Sequence, residues 1–126
     1  MADTLETYHT VTPYLVVPNA DTELRFLADA FDAKEQLCHR NADNSVMHAE
    51  LRIGDSLIML GQAGEQWKAL NAALYLWIPN VDEVYAKALK AGATSQSAPE
   101  DKPYGHRNAG VIDPCGITWW IGSPVK

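Results

Sequence analysis

Tyr14-Leu15-Val16-Val17-Pro18-Asn19-Ala20-Asp21 returns as Tyr75-Leu76-Trp77-Ile78-Pro79-Asn80-Val81-Asp82, 61 positions further along the chain. Both octets lead into helical apolar spacing, Leu24, Leu27, Ala28 and Phe31 in the first and Val84, Tyr85, Ala88 and Leu89 in the second. Both stretches stop at turn-forming residues, Asp32-Ala33 and Ala91-Gly92-Ala93. The same 61-residue step carries Ile58-Met59-Leu60-Gly61 onto Trp119-Trp120-Ile121-Gly122. Self-similarity at a fixed period marks a duplicated structural unit, since like segments obey like local rules. The chain therefore reads as one domain, 1–126, made of two repeats at about 12–61 and 73–122.

Each repeat reads as a strand, a helix and three further strands. Residues 12–18 and 73–79 are rich in β-branched and aromatic side chains, and each ends at a Pro-Asn pair. Asn19 or Asp21, and Asn80 or Asp82, can cap the helices that follow. Glu23 and Glu83 fall in the first helical turns, where the macrodipole favours negative charge. Strands are expected at Gln36–Arg40, Val46–Ile53 and Leu57–Leu60, then at Thr94–Ser97, Gly110–Ile112 and Ile117–Ile121. The segment from Pro99 to His106 reads as a loop, and Gln62–Asn71 as a connection with a helical turn around Trp67. Asp113-Pro114-Cys115-Gly116 is a tight turn, with Pro presetting one backbone angle and Gly closing it.

Composition narrows the function classes. A chain of 126 residues, 47% hydrophobic and 21% charged, is neither disordered nor fibrous. No apolar run nears the roughly 20 residues that span a bilayer, so no membrane role is expected. Met1–Thr10 carries Asp3 and Glu6 and lacks the basic-then-apolar pattern of a secretory signal, which points to a cytoplasmic protein. A net charge of −6 argues against nucleic acid and favours neutral or cationic ligands. Two cysteines, Cys38 and Cys115, are too few for a disulfide framework and match no metal-binding spacing.

A duplicated β-α-β-β-β unit with Asp113-Pro114-Cys115-Gly116 before its last strand resembles the vicinal oxygen chelate superfamily. Its members include glyoxalase I, bleomycin-resistance proteins and extradiol dioxygenases. Thr12-Pro13-Tyr14-Leu15, Met47-His48-Ala49-Glu50-Leu51, Tyr104-Gly105-His106-Arg107 and Asp113–Trp120 are most similar to the PhnB-like subgroup. The likeness spans residues 11–122; the position after Asp-Pro, commonly aromatic in the family, is Cys115 here. The resemblance implies an α+β fold, with duplicated βαβββ modules forming a glyoxalase/bleomycin-resistance-type open barrel. It also implies a homodimer, because such proteins complete their cavities by pairing two chains.

Period-two alternation then assigns faces within that fold. Leu15, Val17, Leu76, Ile78, Ile58, Leu60, Trp119 and Ile121 share the helix-packed parity. Thr12, Tyr14, Val16, Tyr75, Trp77, Met59, Thr118 and Trp120 fall on the opposite, concave face, as do His48, Glu50 and Arg52. Aromatic rings with a few polar groups are the usual lining of a small-molecule pocket. The candidate ligand-binding residues are Tyr14, His48, Glu50, Met59, Tyr75, Trp77, Tyr104, His106, Arg107 and Trp120.

The family's four metal-ligand positions, carried over by the turns and the 61-residue step, are Thr12, Met59, Ala73 and Trp120. None offers the imidazole, carboxylate or thiolate that such ions need, so neither a metal nor another cofactor is expected there. His48 and Glu50, two apart on one strand face, suit either a structural hydrogen bond or an acid–base or ligand pair. Arg107 can grip an anion or pair with Asp113, and Cys115 has no base beside it in sequence. The reading that follows is a metal-free protein sequestering an aromatic or cationic compound. The alternatives are a metal-dependent or displaced-metal lyase, isomerase or dioxygenase using His48 and Glu50, and a surface that serves a partner chain.

Overall fold

The structure, a computed structural model, describes residues 8–125; residues 1–7 of the acidic N-terminal stretch lie outside it. Two sheets of identical order carry the chain, β1-β4-β3-β2 and β5-β8-β7-β6. In the first module β1 is Tyr14–Val17, α1 is Ala20–Phe31, β2 is Lys34–Arg40, β3 is Val46–Ile53 and β4 is Ser56–Gln62. In the second, β5 is Ala73–Trp77, α2 is Val81–Lys90, β6 is Thr94–Asp101, β7 is His106–Ile112 and β8 is Thr118–Pro124. The first strand of each module runs parallel to the last, and the remaining pairs are antiparallel. This is the duplicated α+β architecture that the repeat predicts.

The pairing register shows where the two copies stay in step. Tyr14 lies beside Met59 and Tyr75 beside Trp120, preserving the 61-residue step. Glu50 lies beside Met59 but Gly110 beside Trp120, so β3 and β7 are related by 60. The second copy has one residue fewer after its helix and one more in the turn from Asp113 to Ile117. The helices also start differently. Asn19 has an extended backbone and its side chain accepts from Thr22 N at 3.1 Å, whereas Asn80 adopts φ 63° and its side chain caps nothing.

Helix α1 buries Ala20, Glu23, Phe26, Leu27, Ala30 and Phe31, the spacing of one wide apolar stripe. The helices pack on each other and on the apolar faces of their sheets, and one core runs through both modules. Phe31 of α1 meets Trp119 of β8 with ring centroids 5.2 Å apart, and Trp119 is fully buried. Truncating such a buried ring costs about 3–5 kcal/mol in general, so this contact is a major tie between the copies. No helix among the described residues is long and apolar enough to cross a membrane.

Two local expectations need correction. The segment expected as a long loop from Pro99 to His106 shrinks to a turn at 102–105: β6 reaches Asp101 and β7 begins at His106. Lys102 N donates to His106 O at 2.7 Å and closes a short turn, so Pro99 sits within a strand whose register shifts nearby. The connection around Trp67 carries bends and no helical turn. It is held instead by Gly64 N donating to Trp67 O at 2.7 Å and Leu70 N donating to Val16 O at 3.1 Å.

Candidate functional site

Alternation along the strands puts the expected residues where the pleat requires. Leu15, Val17, Ile58, Leu60, Trp119 and Ile121 are buried under the helices, while Tyr14, Tyr75 and Trp77 are 48%, 44% and 54% exposed on the other face. Tyr14 and Tyr75 lean across β4 and β8, over Gly61 and Gly122. A Cβ at Gly122 would lie 2.7 Å from Tyr75 Cζ, so this close approach requires glycine.

On the first module the face carries a polar pair, His48 and Glu50. Glu50 is buried, and its two oxygens are both engaged: Tyr8 Oη donates to Oε1 at 2.7 Å and His48 Nε2 lies 2.7 Å from Oε2. His48 Nδ1 points back to Tyr14 Oη at 3.5 Å. The His48–Glu50 contact therefore runs along one strand rather than across strands. A cleft of about 450 Å³ lies beside it, lined by Tyr14, Val16, Asn41, Val46, Met47, His48, Gly61, Gln62 and Trp67.

On the second module the same face is aromatic. His106 is ringed by Trp77, Tyr104 and Tyr75, with centroids 4.7, 5.1 and 6.3 Å away. Asn108, 3% exposed, donates through Nδ2 to Tyr104 Oη at 3.1 Å and Tyr75 Oη at 3.4 Å. Its Oδ1 has no partner among the described residues. Tyr75, Ser97, Lys102, Tyr104, Asn108 and Trp120 line a cleft of about 310 Å³. A wider one, about 620 Å³, runs from the β3–β4 hairpin to β5 and takes in Tyr75 and Trp77.

The ten expected residues are thus not gathered in one cavity. Tyr14, His48, Glu50 and Met59 share the first face, and Tyr75, Trp77, Tyr104, His106 and Trp120 share the second. Arg107 joins neither. It faces the helix layer, donating to both oxygens of Asp82 at 2.8 and 2.9 Å and to Asp101 at 3.0 Å. The expected Arg107–Asp113 pairing is not what forms. Asp113 is buried and accepts from Cys115 N, Ile117 N and Trp119 Nε1 at 2.8, 3.0 and 2.8 Å.

Sequence reasoning missed Asn108, which alternation from His106 could have placed on the concave face, and Trp67, brought in by the connection. It also misread Glu23. This residue is fully buried beside Asp113, and burial first, then Asp113, raises its carboxyl to about 9. It is neutral at pH 7 and cannot serve the helix dipole as a charge. Burial likewise pushes the Cys115 thiol up to about 12, which removes it further from a nucleophile's role.

Comparison with known proteins agrees with this geometry. Residues 7–121 match the family model of the Glyoxalase/Bleomycin resistance protein/Dioxygenase superfamily. An uncharacterised protein of Mycobacterium bovis is 34% identical, the match covering 92% of this chain and 84% of that protein. Among solved structures, TioX from Micromonospora sp. ML1 superposes with a TM-score of 0.79 at 24% identity, over 93% of this chain and 99% of that one. The fosfomycin resistance protein FosX from Mesorhizobium loti does so with a TM-score of 0.66 at 16% identity, over 93% and 92%. At these identities the two structures share the fold alone.

Proposed function

The chain belongs to the glyoxalase/bleomycin resistance protein/dioxygenase superfamily, and on that premise we propose that it is a PhnB-like, cytoplasmic protein that sequesters a flat aromatic or cationic compound. The observation that carries this reading is the open array of rings on the concave faces. Tyr14, Tyr75, Trp77 and Tyr104 stand between 44% and 64% exposed. Stacking a planar ligand on such rings contributes roughly 0.5–1.5 kcal/mol per pair beyond area burial. A ligand cation gains further attraction from the ring faces. Asn108 Oδ1, buried and unpartnered, is an acceptor for a donor group on the ligand.

Each face is open on one side, so a second copy of the chain completes the clefts in a homodimer. Affinity comes from desolvated aromatic area, with His48 and Glu50 as polar anchors on the first face, and no metal takes part in the cleft. The test is a titration of cationic and neutral aromatic dyes, following tryptophan emission, together with sedimentation. Saturable quenching that weakens on Trp77→Ala, in a dimeric protein, supports the reading. No spectral change across a broad panel overturns it, and stoichiometric metal lost on His48→Ala replaces it with a metalloenzyme.

A further inference from the structure

A second cluster of chemical groups lies where the two repeats meet, on the helix side and away from the concave faces. Glu23 comes from the first turn of α1; Asp113 and Cys115 come from the β7–β8 turn of the other module. One ligand atom from each, a carboxyl oxygen, a carboxyl oxygen and the thiol sulfur, lie within 4.8 Å of one another. Glu23 is 0% exposed and Asp113 4%; no N–H donor among the described residues reaches either Glu23 oxygen, and the buried acid's polar neighbours are the Asp113 carboxylate and the Cys115 thiol. Asp113 is held rigidly by its three N–H donors, two on Oδ1 and one on Oδ2, which leaves one Oδ2 lone pair unused. The sulfur donates to the Asn19 carbonyl oxygen at 3.3 Å. The repeat does not require this arrangement, since the equivalents of Glu23 and Asp113 are Val84 and Ile53. Two carboxyls packed together out of water have to share protons to avoid repulsion, and a cation bound between them removes that constraint.

We propose that Glu23, Asp113 and Cys115 form a binding site for one borderline divalent cation of the Zn²⁺ type, clamping the two repeats together. Two carboxyl oxygens and a thiolate suit zinc, whose bonds run to about 2.0–2.2 Å for oxygen and 2.3 Å for sulfur. The sulfur disfavours magnesium and calcium, which take oxygen ligands. Cys115, only partly buried, is the point of entry. Ligation releases the protons of Glu23 and Cys115 to solvent, so two positive charges replace two and the cluster's net charge is unchanged.

The test uses the full chain without a histidine tag, stripped by chelator and titrated with Zn²⁺ by calorimetry. A parallel titration with Cd²⁺ follows the ultraviolet charge-transfer band of a cadmium–thiolate bond. One ion per chain is expected, with a Cd²⁺ band and a raised melting temperature. Cys115→Ser and Glu23→Gln should each weaken binding by roughly a hundredfold, while Cys38→Ser binds like the parent; circular dichroism establishes that each variant is folded. Absence of binding, affinity unchanged in Cys115→Ser and Glu23→Gln, or a site lost on His48→Ala instead would overturn the proposal. None of these results bears on dye binding at the concave faces.

Discussion

The two concave faces share one backbone plan and differ in what they present. Cross-strand neighbours Glu50 and Met59 on the first module become Gly110 and Trp120 on the second. The exchange conserves space rather than chemistry. A Cβ at Gly110 would come within 2.6–2.8 Å of the Trp120 ring, so the indole occupies the room that a side chain at 110 would need. Likewise His48, tied to a carboxylate, is answered by Asn108, tied to two tyrosines. A duplicated scaffold can thus hold a polar dyad and an aromatic floor at equivalent positions, because the sheet register fixes where side chains meet and not what they are. The seam departs from symmetry in the same way: Glu23 and Asp113 stand where the other copy has Val84 and Ile53.

The largest effect should come from breaking the seam. Asp113→Ala leaves three N–H donors without an acceptor, two of them buried, and loss of about 3–5 kcal/mol in denaturant unfolding is expected. A loss below about 1 kcal/mol would mean the turn does not depend on that carboxylate. Next is Glu23→Gln in chelator-treated protein. Because the folded-state value of Glu23, about 9, is above the ordinary 4.5, its contribution is fully present below pH 4.5 and is lost as pH rises toward 9. The glutamine needs no proton and should be more stable at pH 7 by on the order of 2–3 kcal/mol. That advantage should vanish near pH 4; a difference independent of pH would sink the idea.

Gly110→Val sharpens the comparison of the faces. It should cost roughly 1–3 kcal/mol through overpacking and shift tryptophan emission as the Trp120 ring is displaced. Met59→Trp alone, with Glu50 still in place, should not reproduce the second face. The smallest effect belongs to Arg107→Ala, a barely resolved shift in thermal melts, since its partners are exposed. Arg107 holds the Asp82 carboxyl below its usual range, so this small contribution is present above pH 3.8 and fades as the solution is acidified further.

Much of this was legible in residues. The strand–helix order, the parity of Tyr14, Tyr75, Trp77 and Trp120, and the burial of Trp119 follow from spacing alone, since each reports a local period. Arg107 was not legible, because Asp82 and Asp101 reach it from a helix start and another strand. Neither was Glu23, whose position in a first helical turn reads as a solvated charge. Only the packing of α1 against the β7–β8 turn of the other copy buries it. The division of ten expected site residues between two faces was likewise hidden, because alternation tells which side of a sheet a residue takes and not which sheet lies opposite.

What the sequence by itself determined was the duplication, and with it the architecture, because a repeated pattern of short-range preferences must build the same unit twice. What only the tertiary structure decided was everything that depends on how the two units are pressed together. That includes the single core through Phe31 and Trp119, the neutral Glu23 beside Asp113, and the division of the expected site residues between two faces. The physical reason is that desolvation acts between segments distant in the chain, and no local period records it.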